Sequence, residues 1–271
     1  MHITIGMDPN ILSLGPFVIA WHALAILVAI VIAVQIVKWE FRRKGLSFAH
    51  WDAMVYWTVA GGIIGARLFY VIDHLGYHLH HPLEIFALNQ GGLAIYGSVF
   101  GGFLTVVALC RYYHFPTLQV IDAIAPGLLM AQAFGRIGCI INGDAWGAPT
   151  ASRFAFIYTN PKSLLPPDLL GVPTYPYPLY DLVINIAIFA VIWRLRRRGL
   201  PNGALFAIFT ALYGASRFLI SFMRQERVWF WDLQEAQVVA ILALIASLAA
   251  LALLFRRRAP RDVNVDVPAS V

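Results

Sequence analysis

Charge is scarce in this sequence. Asp, Glu, Lys and Arg make up 13% of its 271 residues, against about 25% in an ordinary soluble domain. The hydrophobic share is 60%. This balance excludes a soluble globular chain and points to one that crosses a membrane many times. Cysteine is scarcer still. Cys110 and Cys139 stand in different apolar segments, which argues against a disulfide framework. No basic stretch precedes the first apolar run, so no cleavable signal peptide is expected and that run should persist as a span. His74, His78, His80 and His81 cluster without zinc-site spacing, and no metal is expected there. The net charge of +6 comes without a recognisable nucleic-acid-binding module. No nucleic-acid partner is expected, and the excess bears on orientation instead.

Apolar runs of membrane length are abundant. Seven segments approach the ~20 residues that a spanning helix needs: 17–37, 53–72, 92–110, 121–141, 178–193, 204–223 and 238–255. The fold class expected is therefore an all-α integral membrane protein with about seven transmembrane helices. A single polytopic membrane domain is expected over 1–258, followed by a disordered tail, 259–271.

The basic residues orient it. Lys38, Arg42, Arg43 and Lys44 follow the first span, and Arg111 follows the third. Arg194, Arg196, Arg197 and Arg198 follow the fifth, and Arg256, Arg257, Arg258 and Arg261 the seventh. The opposite side carries only Arg153, Lys162, Arg224 and Arg227. The richer side is expected to be cytoplasmic, with the N-terminus outside and the C-terminus inside. Trp21, Trp146, Trp229 and Trp231 then fall near the outer interface, and Trp39, Trp51 and Trp193 near the inner one, as an aromatic belt does.

Three arginines remain, Arg67, Arg136 and Arg217, each inside a span. Counted from Asp52, Asp122 and Ala204, each lies about 20 Å along its helix at 1.5 Å per residue. They share one level in the outer half of the membrane. Two accounts compete. The arginines snorkel to the interface, with Asp73 and Asp144 neutralising two of them, or they hold an anion. Guanidinium suits phosphate as a two-pronged donor, and a phospholipid head group is the anion at that depth.

Other features lie nearby. Gly61 and Gly65, and Gly97 and Gly101, are four apart, a spacing that lets helices approach closely. Tyr96 is either an interfacial aromatic or a phenol that reaches the arginine layer. His22 follows Trp21 at the outer start of the first span. Cys139 is read as a small buried residue in preference to a nucleophile. Residues 143–177 form a long outer segment rich in aromatics, which is expected to be an ordered cap.

The stretch GRIGCIINGDAWG (135–147) gathers Arg136, Cys139, Asn142 and Asp144. It resembles the signature G-R-x-G-N-F-x-N-x-E-x-x-G of the bacterial prolipoprotein diacylglyceryl transferases. AGGIIGARLFYV, PLEIFALNQGGLAIYGSVFGG, LYD and YGASRFLISFMRQE follow that family's order, so the resemblance covers nearly the whole chain. It implies a multi-pass protein of the bacterial cytoplasmic (inner) membrane that acts in lipoprotein biosynthesis. Such an enzyme moves the diacylglyceryl group of phosphatidylglycerol to the lipobox cysteine of a preprolipoprotein signal peptide and releases glycerol 1-phosphate. The nucleophile is then the acceptor's thiol, and the partners are phosphatidylglycerol, lipobox signal peptides and membrane lipids. No cofactor or metal is implied.

The resemblance assigns Arg136 and Arg217 to the lipid phosphate, and matches Asn142 and Gly147 to the signature. The catalytic candidates are Arg136, Arg217, Tyr96 and Asp144. Arg136, Asn142, Cys139, Gly147, His22, Arg67 and Ser221 are the candidates for substrate contact. The chain also departs from the pattern. Cys139 stands for asparagine, Asp144 for glutamate and His22 for tyrosine. Tyr96 stands where many members have histidine, and Ser221 where many have glutamate. TYPYPLYD replaces H-P-x-Q-L-Y-E. The general base is open among Tyr96, Asp144 and His22. The rival readings are a non-catalytic lipid- or lipoprotein-binding paralogue, a relative with other substrates, and a transporter. The last lacks the two matching halves it would need.

Overall fold

A computed structural model describes residues 2–14, 17–86, 92–224, 228–230 and 232–258. The expected tail 259–271, Arg227 and Trp231 lie outside them, as do the side chains of Trp229 and Arg258. β1 (His2–Ile5), β2 (Asn10–Leu14) and β3 (Phe17–Ala20) precede α1 (Trp21–Lys44). There follow α2 (Trp51–Asp73), the short α3 (Leu75–His80), α4 (Ile95–Tyr112) and α5 (Thr117–Asn142). β4 (Ala155–Tyr158) leads to α6 (Tyr177–Leu195) and α7 (Ala204–Ser221). β5 (Val228–Phe230), β6 (Leu233–Gln234) and α8 (Glu235–Arg258) complete the order. Seven of these helices are long and apolar enough to cross a membrane, which agrees with the fold class read from the sequence.

The first span begins later than its apolar run. Residues 17–20 form β3, paired antiparallel with β2, and the helix starts at Trp21. A short apolar run with adjacent Val18 and Ile19 suits a strand as well as a helix, and periodicity alone does not separate the two. At its other end α1 continues to Arg42, Arg43 and Lys44, cations that favour a helix C-terminus.

Contacts gather the chain into two compact units. One comprises residues 39–121 and the other 1–38 with 122–271. In the first, α2 and α4 meet along a glycine seam. A Cβ on Gly97 would strike the Gly65 carbonyl, and one on Gly101 would lie 2.5 Å from the Gly61 oxygen. The fourfold glycine spacing is thus a packing device.

In the second unit Ala125 and Leu129 of α5 share a core with Ile188 and Ile192 of α6 and Leu205 and Phe209 of α7. Asp122 caps α7: its carboxylate accepts from the Gly203 amide at 2.8 Å and the Phe206 amide at 2.9 Å. Residues 143–177 carry a small core of their own. Phe156, Tyr158, Leu165 and Leu169 form it, with Ile3, Ile5 and Trp146 packed against them. β1 pairs in parallel with β4, from His2 opposite Ala155 to Ile5 opposite Tyr158. That pairing demands an even number of crossings between the two strands, and α1, α2, α4 and α5 supply them.

Candidate active site

The stretch 135–147 is the end of a helix and the turn that stops it. Arg136 and Cys139 are three apart on α5 and so share a face. Nη1 of Arg136 approaches Sγ of Cys139 at 3.8 Å. After Asn142 the chain enters the left-handed region at Gly143, φ 74°. The Gly143 amide donates to the Cys139 carbonyl at 2.9 Å. Glycine takes this conformation without a Cβ penalty, which ends the helix. The turn folds Asp144 back, so that its Oδ2 lies 3.9 Å from the Cys139 sulfur. His22, near the start of α1, brings Nδ1 to 3.9 Å from the same sulfur. Gly138 makes room for it, since a Cβ there would lie 3.0 Å from the His22 Cα.

α6 delivers the partner of Arg136. Its Nε donates to Oδ2 of Asp181 at 2.5 Å, and the aspartate is 1% exposed. The other oxygen, Oδ1, accepts from Asn185 Nδ2 at 3.1 Å. A buried carboxylate with both oxygens engaged against a guanidinium is a fixed pair. Nη1 of Arg136 is turned to the Cys139 sulfur instead.

Three guanidiniums surround one ring. The carbons Cζ of Arg136, Arg217 and Arg224 lie 5.8, 5.5 and 4.9 Å from the Tyr177 ring centroid. The ring's electron-rich face tolerates this crowding. Tyr177 is fully buried, and its hydroxyl has no hydrogen-bond partner among the described residues. Three cations beside one carboxylate and an unspent buried hydroxyl make a cluster suited to an anion with several oxygens.

The cap is tied to this cluster. The Ala148 amide donates to the Met223 carbonyl at 2.8 Å, and the Tyr175 amide donates to Ala148 at 3.0 Å. Gly147 fits only without a side chain, because a Cβ would lie 2.5 Å from the Tyr175 oxygen. Asn142 is buried, and its carbonyl accepts from the Leu164 amide at 3.0 Å. The Tyr158 hydroxyl donates to the Ile140 carbonyl at 3.1 Å. Burial, with Asp144 nearby, pushes that phenol above its usual range, so it stays protonated and serves as a strut.

The structure brings together Arg136, Arg217, Cys139, Asp144 and His22 within one unit. Ser221 is buried in α7 and donates its hydroxyl to the Arg217 carbonyl at 2.6 Å. Arg67 and Tyr96 belong to the other unit. Arg67 directs Nε to the Ile85 carbonyl at 2.8 Å and Nη1 to that of Gly92 at 3.0 Å, and Nη2 binds the Glu84 carbonyl. The proposed neutralising acids are corrected: Asp181 pairs with Arg136, whereas Asp144 meets Cys139 and Asp73 lies 3.8 Å from His74. Sequence reasoning missed Tyr177, Asp181 and Arg224. The available signal was an aspartate in the second turn of a span, where an acid needs a partner.

A family model described as prolipoprotein diacylglyceryl transferase matches residues 9–253. A protein of Dehalococcoides mccartyi (strain ATCC BAA-2266 / KCTC 15142 / 195) is 31% identical, over 88% of this chain and 90% of the relative. One of Nostoc sp. (strain PCC 7120 / SAG 25.82 / UTEX 2576) is 31% identical over 93% and 91%, respectively. One of Bordetella avium (strain 197N) is 32% identical over 80% and 82%. All three are named phosphatidylglycerol–prolipoprotein diacylglyceryl transferase.

Proposed function

The chain belongs to the prolipoprotein diacylglyceryl transferase family, and we propose that it transfers the diacylglyceryl group of phosphatidylglycerol to the lipobox cysteine of a preprolipoprotein. The observation that carries this reading is the ring of Arg136, Arg217 and Arg224 around Tyr177, ordered by Asp181. The acceptor sulfur attacks the glyceryl carbon that bears the phosphate ester. A carbon–sulfur bond forms, the carbon–oxygen bond breaks, and its electron pair stays on the phosphate oxygen of the departing glycerol 1-phosphate. The thiol proton leaves to a nearby base or to water.

Negative charge therefore grows on phosphate oxygens. Guanidiniums already fixed by Asp181 and the Tyr177 ring need no reorganisation to receive it, and preplaced cations of this kind lower a barrier most. A thiol, with a pKa of about 8.5, must also lose its proton before attack. The groups beside Arg136 that bear on that step are His22, Cys139 and Asp144. Arg67, through its three carbonyl bonds, holds its own loop.

The chain is a multi-pass membrane protein by its seven apolar helices and its family. We place it in the bacterial cytoplasmic membrane, C-terminus inside, with the arginine cluster facing the outer leaflet. The test is direct. Purified protein, phosphatidylglycerol and a lipobox peptide are incubated, and mass spectrometry looks for the diacylglyceryl adduct. The adduct should form and vanish with Arg136→Ala. A folded preparation that yields none across several lipids and peptides overturns the reading.

A further inference from the structure

His22, Cys139 and Asp144 come from three parts of the second unit, and their donor atoms converge. Nδ1 of His22, Sγ of Cys139 and a carboxylate oxygen of Asp144 all lie within 4.8 Å of one another. The contacts to sulfur are 3.9 Å each, long for hydrogen bonds. Oδ1 of Asp144 is buried and has no hydrogen-bond partner among the described residues. The three donors thus gather around one space with only long contacts to one another. Zinc bonds of roughly 2.0–2.3 Å in a tetrahedron set donor–donor edges of about 3.5 Å. Closing the observed triangle onto such an ion takes modest side-chain rotation.

We propose that His22, Cys139 and Asp144 bind a thiophilic divalent cation of the zinc class, whose open fourth position takes the acceptor's thiol sulfur. One imidazole, one thiolate and one carboxylate suit zinc, and three protein ligands are the count of a site that keeps a position for substrate. The charges close as well. A dication with the Cys139 thiolate and the Asp144 carboxylate is neutral, and the adjacent Arg136 is balanced by Asp181. Adding an acceptor thiolate leaves one negative charge, with Arg136 Nη1 nearby as a hydrogen-bond donor. The ligands are also held in advance, Asp144 by the Gly143 turn and His22 by its contact with Gly138. These three positions are among those where the sequence departs from the pattern it resembles, and the departures meet in one place.

The chemistry follows from the ligand. A thiol coordinated to zinc is deprotonated, its proton passing to water. The cation therefore does the work for which no single base stands out, and holds the sulfur next to the phosphate-binding arginines. This last step rests on the transferase reading, whereas the binding of the cation does not.

The experiment uses the full chain in detergent, stripped with a chelator and titrated with cobalt(II). One equivalent should produce the near-ultraviolet sulfur-to-cobalt band and the intense visible bands of tetrahedral cobalt, and zinc should displace it. Cys139→Ala should abolish the sulfur band while Cys110→Ala retains it, with Cys139→Ser as the near-isosteric check on folding. His22→Ala and Asp144→Asn should weaken cobalt binding at least about tenfold, the scale known for disturbing a ligand shell. A lipobox peptide should shift the visible bands, and its serine analogue should not. No saturable cobalt spectrum, a sulfur band that survives Cys139→Ala and Cys139→Ser, or a spectrum blind to the peptide thiol overturns the proposal. The two readings fail separately. Diacylglyceryl transfer undiminished by chelation, with no cobalt spectrum, removes the cation and leaves the transferase. A cobalt site that answers to the peptide, without transfer, does the reverse.

Discussion

Arg136 and Asp181 meet at 2.5 Å across 45 residues of sequence. The aspartate fixes the guanidinium through Nε, while Nη1 reaches the Cys139 sulfur. Asp181→Asn keeps the shape and the Asn185 contact but removes the charge. Breaking a buried pair by losing one partner costs about 3–5 kcal/mol. The expected result is a clear fall in the melting temperature in detergent together with reduced transfer. Wild-type values for both would show that the pair does not hold Arg136.

Arg136→Lys tests what the guanidinium contributes beyond charge. Lysine is a point charge without the planar two-pronged geometry. Transfer should fall about 10²–10³-fold, the loss expected when one fixed donor to a developing oxyanion is removed. Near-normal turnover would mean that charge alone suffices.

Gly147→Ala probes the cap. The new Cβ would lie 2.5 Å from the Tyr175 oxygen and 3.1 Å from that of Met223, both backbone atoms. Neither yields as a flexible side chain does, so residues 147–148 must move away from α6 and α7. Transfer should drop while the helical circular dichroism persists. Retained activity would separate the cap's position from the chemistry.

At the other glycine seam, Gly97→Leu should drive α4 from α2, because even a methyl group would strike the Gly65 carbonyl. Overpacking of this kind costs about 1–3 kcal/mol. Thermal unfolding followed by tryptophan fluorescence should shift downward. An unchanged midpoint would show that the helices part at no cost.

A pH effect is expected to be small. Lys162 Nζ donates to Asp8 Oδ2 at 2.5 Å, which holds the Asp8 carboxyl below its ordinary range. A depressed carboxyl stabilises the fold above its unfolded value, near 3.8, and that contribution is lost as pH falls through the folded value. Both partners are well exposed, and exposed pairs contribute little. Asp8→Asn should therefore leave the melting temperature at neutral pH unchanged. A large fall would give this clip a weight that its exposure does not suggest.

The spans were legible because apolar length and basic flanks are local signals. All seven appear within a few residues of their expected ends, apart from the strand at 17–20 and the first helix's extension to Lys44. The glycine spacing also spoke for itself, since close approach needs only the absence of side chains. Asp181 was hidden for the opposite reason. Its role depends on a partner 45 residues away, and no periodicity records that. Asp144 misled because it is near Arg136 in sequence, yet the turn at Gly143 aims it at Cys139. Tyr177 reads as one aromatic among several until α5, α7 and the turn after α7 deliver arginines to its ring.

The parallel strand pair His2–Ile5 with Ala155–Tyr158 sets an order of events during synthesis. β1 has no sheet partner until the four spans that follow it have been inserted and β4 has emerged. Closing so long a loop is slow. The Lys162–Asp8 bridge and the Thr159 amide's bond to the Ile5 carbonyl wait on the same event. The cap is thus assembled late from two parts of the chain separated by four spans, so a change that hinders β1 should arrest maturation after those helices are already in place.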